Sequence, residues 1–165
     1  MSTTAQTLPH ANPEELSGLH IFFATLAVCI GTLLISLDQF IANVAIPTIA
    51  GDLGVSQDNG TWVITSYTVA NAITIPLTGW LTKEVGRIRL FALSSILFSF
   101  FSLLCGLAPS FNALLGFRVL QGLSSGALIP LSQALLLMLH PKRKGMAMGI
   151  WGLVVMVGPA MGPVI

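Results

Sequence analysis

Long apolar stretches separated by short polar ones set the rhythm of this chain. A bilayer core asks for roughly 20 apolar residues in a helix rising about 1.5 Å per residue, because in lipid each backbone amide and carbonyl must be satisfied within its own segment. Five stretches meet that length, at about 19–46, 61–81, 90–108, 111–139 and 145–165. Residues 47–60 gather a proline, glycines and two acids and read as a loop, and Ala108-Pro109-Ser110 reads as a tight turn. The pattern predicts an all-α, polytopic transmembrane helical bundle of about five spans over residues 19–165, behind a tail over residues 1–18.

Composition removes the main competitor. A helical bundle in water needs a polar stripe on each helix, whereas here 54% of residues are hydrophobic, 8% are charged and no helix pattern carries such a stripe. Membrane lipid is therefore the expected surroundings. Nothing in the sequence resembles a basic run for nucleic acid. Cys29 and Cys105 lie within apolar stretches and have no His or Cys at ligand spacing, so they read as small core residues, and neither metal nor cofactor is expected. His20 and His140 flank spans without an HExxH arrangement. No nucleophile and base, or metal set, supports an intramembrane enzyme.

The charges give direction. Lys83, Arg87 and Arg89 fall between the second and third stretches, and Lys142, Arg143 and Lys144 between the fourth and fifth. Loops on the other side hold Asp52 and Asp58 and no basic residue. The positive-inside rule then places the basic loops and the N-terminus in the cytoplasm. Residues 1–19 contain no Lys or Arg, which excludes a cleaved signal, and Asn12-Pro13-Glu14-Glu15 has the cap, proline and acids of a helix start.

Two charges remain inside the spans, Asp38 and Arg118. A charge at a helix centre costs roughly 2.5–3.5 kcal/mol on insertion scales, so such residues face a polar cavity or each other. Counting from the outer ends of their spans, both lie about 10–12 Å deep at helical rise. One polar pocket can hold both. Low dielectric disfavours a charged carboxylate and a guanidinium nearby favours it, so a proton-coupled site is one reading; a static ion pair holding two helices in register is the other. Gln121 stands one turn beyond Arg118, on the same face, with a hydrogen bond to offer.

These residues also sit in recognisable motifs. LDQFIANVAIP (37–47) resembles the first-helix signature of drug/proton antiporters, with Asp38 and Asn43 in the matching places. GWLTKEVGRIRLF (79–91) resembles the cytoplasmic loop motif of the major facilitator superfamily at Gly79, Leu81, Gly86 and Arg87, with Lys83 and Glu84 replacing the usual Asp and Arg. FRVLQG (117–122) is similar to the Arg-x-x-Gln-Gly motif and places Arg118, Gln121 and Gly122 in it. GPAMGP (158–163) resembles the antiporter motif of helix five at Gly158, Pro159 and Gly162, with Pro163 where a glycine is usual. Together they resemble the EmrB/QacA-like group of fourteen-helix exporters.

The resemblance implies proton-coupled export of drugs or other amphipathic small molecules across a bacterial inner membrane, with protons as the coupling ion and a periplasmic adaptor protein as a candidate partner. It implies that Arg118 takes part in proton transfer and that a bent fifth helix seals the substrate path. Such transporters rock two helical halves about a central site. A chain with less than one half is expected to be a piece of a longer protein, inactive alone unless the missing helices join it; a non-transporting membrane fragment is the alternative. Gly122 with Gly126, Gly145 with Gly149, and Gly158 with Gly162 have the small-xxx-small spacing of packed helices. Trp62, Tyr67, Trp80 and Trp151 read as interface anchors or packing. Met138, Met146, Met148, Met156 and Met161 read as lipid-facing or core residues.

Overall fold

A computed structural model describes residues 18–52 and 54–161. Seven helices follow in order: α1 Gly18–Asp52, α2 Gln57–Gly60, α3 Trp62–Val85, α4 Arg87–Gly106, α5 Phe111–Ser125, α6 Leu128–Leu139 and α7 Lys144–Met161. Among them α1, α4 and the combined α5–α6 run over Phe111–Leu139 are long and apolar enough to cross a membrane. The 24-residue α3 has the length as well, but threads Asn71, Thr74 and Thr78 along its buried face. The helix start expected at Asn12-Pro13-Glu14-Glu15 lies outside the described residues.

Three boundaries differ from those the sequence predicts. The first helix does not stop at Pro47; it continues to Asp52 with the proline inside it. Proline removes one amide and leaves the Asn43 carbonyl, four residues back, without its helical donor, a loss that long membrane helices tolerate. Termination waits for Gly54, whose φ of 63° lets its amide reach the Gly51 carbonyl and that of Val55 reach Ala50, a Schellman close. The basic loop predicted over 82–89 contracts to Gly86, at φ 89°, so Lys83, Arg87 and Arg89 occupy terminal helical turns. The stretch 111–139 is interrupted at Gly126–Ala127, which divides α5 from α6. Pro130 lacks the amide that would bond the Gly126 carbonyl, and its ring crowds that same group.

The surface and the interior have exchanged the characters they have in water. Phe22, Ile30, Ile88, Ile96, Leu103 and Leu153 are exposed, while Thr32, Asn71, Arg118, Gln121, Ser125 and Ser132 are buried. That arrangement fits lipid outside, where polar side chains find partners only between helices. An apolar core of Val28, Ile35, Phe98, Leu128 and Leu136 fills the space between α1, α4 and α6.

Close backbone approach is concentrated at one seam. A Cβ on Gly122 would collide with the Tyr67 carbonyl, and one on Gly126 would come 2.6 Å from Thr74 Cβ and 2.7 Å from the Asn71 oxygen. These two glycines let α5 lie directly on α3. Gly145 and Gly149 have the same spacing but face open space, so spacing alone overstated their role. For Trp151 the structure shows the packing reading: its Nε1 donates to Ser132 Oγ at 2.9 Å and its ring packs on the core, tying α7 to α6.

Candidate functional site

Asp38 on α1 and Arg118 on α5 meet. Arg118 Nη1 donates to Asp38 Oδ2 at 2.8 Å. Gln121, one turn along α5, closes a ring: its Oε1 accepts from the same Nη1 at 3.1 Å, and its Nε2 donates to Asp38 Oδ1 at 3.0 Å. Both carboxylate oxygens and both ends of the amide are thereby used. The carboxylate and guanidinium side chains are only 13% and 10% exposed, so losing the partner would leave either charge poorly solvated.

Each helix contributes for a local reason. The three-residue step from Arg118 to Gln121 puts both on one face of α5. Leu114, Gly122 and Ser125 continue that buried face. From α4, Cys105 Sγ reaches Gln121 Oε1 at 3.6 Å, a thiol contact that its apolar setting in the sequence did not suggest. Asn43 does not join the triad; its Nδ2 donates to the Gln39 carbonyl at 2.8 Å on the exposed side of α1.

Of the two readings open for Tyr67, interface anchor or packing, the structure shows packing: the residue is 4% exposed and lies in α3 directly beside the triad. The signal was available: Val63, Tyr67, Asn71, Thr74 and Thr78 recur at helical spacing and share one buried face. Asn71 Nδ2 donates to Ser125 Oγ at 2.8 Å, which donates in turn to the Gly122 carbonyl at 3.0 Å. A recess of about 30 Å³ lies between Asp38, Ala42, Val63, Tyr67 and Arg118, with exposed Asn43 and Thr68 at its rim. On its other side Asp38 borders an open groove of about 510 Å³ walled by Leu34, Phe98 and Leu103.

The remaining motif residues lie apart. Gly86 forms the α3–α4 turn, Leu81 packs against the core, Gly79 faces open space, and Arg87 Nη1 contacts Met138 Sδ at 3.0 Å. Of Gly158 and Pro159 only the helical backbone of α7 is described, and Gly162 is outside the described residues. Among the described residues no group of His, Cys, Asp or Glu could hold a metal ion.

Comparison with known proteins shows the family. The family model of the Major Facilitator Superfamily matches residues 28–165. The chain is 52% identical over 166 residues to the multidrug export protein EmrB of Haemophilus influenzae, covering all of this chain and 32% of that protein. It is 52% identical over 153 residues to EmrB of Escherichia coli K12, covering 92% of this chain and 30% of that protein. The fatty acid resistance protein FarB of Neisseria gonorrhoeae is 46% identical over 151 residues, covering 91% and 30% respectively. The chain thus spans about a third of the length of these relatives. With helices whose outer faces are apolar, a buried charged triad and a family match over most of its length, this multi-pass membrane chain belongs to the Major Facilitator Superfamily.

Proposed function

We propose that these helices form part of a proton-coupled exporter of amphipathic small molecules, and that the Asp38–Arg118–Gln121 triad is its proton-responsive element. The observation that carries this reading is the closed ring of hydrogen bonds around a carboxylate buried between helices. The names of the relatives support an export role, drugs in one case and fatty acid resistance in another. In the proposed orientation the N-terminus and the basic helix ends lie in the cytoplasm, in a bacterial inner membrane, and the small-molecule substrate leaves outward. A periplasmic adaptor is the proposed partner beyond it.

The mechanism follows from the charge balance. With Asp38 ionised, the pair attracts strongly in a low-dielectric setting and holds α1 to α5. Adding a proton to the carboxylate discharges it and leaves the buried guanidinium without a counter-charge, which is costly. The helices then gain by rearranging until Arg118 finds water or another acceptor. Proton arrival on one side and departure on the other would thereby drive a change in helix packing, which is what alternating access requires.

Gln121 makes the device a switch rather than a clamp: its amide can hold either oxygen of a neutral or ionised carboxyl. A static ion pair predicts otherwise. In a full-length transporter carrying this segment, Asp38→Asn keeps the shape and most hydrogen bonds but cannot take up a proton. We expect uncoupler-sensitive dye efflux from proteoliposomes to be abolished with the protein still inserted. Efflux at the original rate would remove Asp38 from the mechanism and leave the ion pair as architecture. Arg118→Ala is expected to disable transport as well.

A further inference from the structure

Two buried polar groups beside the triad make no direct hydrogen bond to a protein group: the Tyr67 hydroxyl and the Arg118 Nε–H. Ser125, Gln39 and Asn71 surround the Tyr67 hydroxyl, but none meets it at hydrogen-bonding distance and angle. Burying a hydroxyl or a charged N–H unmet is expensive, so such pairs call for a shared third party. Both residues line the recess of about 30 Å³ next to Asp38. A single water needs roughly 10–15 Å³ of such space and two to four polar partners. The recess, lined by the polar residues Asp38, Tyr67 and Arg118, has room for one water and is far below the roughly 300 Å³ of a drug pocket.

We propose that the recess is a binding site for one water molecule, held by the Tyr67 hydroxyl and the Arg118 Nε–H, and that this water hands the proton to Asp38. The water accepts from Nε–H and exchanges a hydrogen bond with the tyrosine. Its remaining capacity faces the carboxylate. In the transfer step a hydronium reaching this position breaks one O–H bond, one O–H bond forms on Asp38, and water stays behind; no other bond changes. The titratable or charged groups facing Asp38 are Arg118 from α5, Cys105 from α4 and Tyr67 from α3, and the exposed rim at Asn43 and Thr68 is the way in. That rim lies toward the end of α1 remote from the basic helix termini, the side from which an exporter draws its protons. Tyr67 is on this view a positioning residue, acting through the water.

The inference rests on the proton-coupled reading above, and its test separates the two. Infrared difference spectra of a full-length transporter carrying this segment, recorded on drug binding in H2-16O and H2-18O, report water bands that change with Asp38. Tyr67→Phe removes one oxygen and keeps the ring; Val63→Ile fills the recess and keeps the hydroxyl. Both are expected to abolish the isotope-sensitive band and to slow proton-coupled efflux by about tenfold or more, with drug affinity within about twofold of the parent. A band and efflux unchanged in Tyr67→Phe would overturn the site. So would a slow Tyr67→Phe beside a fast Val63→Ile, since the hydroxyl would then act without water. If Tyr67→Phe does not accumulate, Val63→Ile decides alone: a retained band sinks the proposal, a lost band with slowed efflux supports it. Full-rate efflux by Asp38→Asn would instead refute the proton-coupled reading, while the band still reported on the water.

Discussion

Two of the seams at which helix α5 meets its neighbours are built on opposite terms. Against α3 the contact is backbone on backbone, with Gly122 and Gly126 leaving no room for a single added carbon. Against α1, whose own close packing is on α7 and α6, the contact is the reach of one long guanidinium and one amide to a single carboxylate. The first seam depends on shape and is indifferent to protons; the second depends on charge and is sensitive to a single one. A molecule that has to change arrangement without coming apart needs both kinds.

The hardest blow to this contrast is a side chain at the glycine seam. Gly122→Val sets a branched group against the Tyr67 carbonyl, and since that neighbour is backbone it cannot give way. Overpacking of this sort costs roughly 1–3 kcal/mol and sometimes more. We expect a full-length transporter with this change to fall to a small fraction of the parent's folded yield by fluorescence size-exclusion chromatography. A normal yield would mean that the seam is looser than described.

Arg118→Lys cuts at the other seam more gently. Lysine restores the positive charge but supplies a point donor where arginine bridges Asp38 and Gln121 from one nitrogen and presents Nε–H to the recess. Efflux is expected to fall by about tenfold while the folded yield stays near that of the parent. Full activity in the lysine variant would show that charge alone operates the seam.

Ser125→Ala makes the smallest disturbance. It deprives Asn71 of its acceptor inside the glycine seam, leaving a buried amide unmet at a cost of about 1–3 kcal/mol. A thermal midpoint several degrees lower, with the proton dependence of efflux unchanged, would confirm that this seam serves stability. A shifted proton dependence would instead join the two seams into one network.

The meeting of Asp38 with Arg118 was legible before any coordinates, because helical rise is fixed and the expense of isolated charges in lipid forces them together. Boundaries were not. Pro47 breaks helices in water, where released carbonyls are competed for by solvent, and the rule fails where the alternative to a helix is worse. The single-residue turn at Gly86 escaped because the charges around it imitate a loop while lying on helix ends. Tyr67 was left between two readings for a different reason: an aromatic ring with a polar tip suits an interface and a buried site equally, and only its register with Asn71 and Thr74 distinguishes them.

Gly86 also has a mechanical meaning. Two rods joined by one link behave as a bracket, and both arms of this one, α3 and α4, lie against α5. Three helices so braced have few internal degrees of freedom and travel together, like a door leaf on its frame. If protonation of Asp38 moves the helices as proposed, the displacement should then appear undiminished at the basic corner, where Arg87 and Arg89 sit. Spectroscopic labels placed at that corner would register the stroke of the whole leaf.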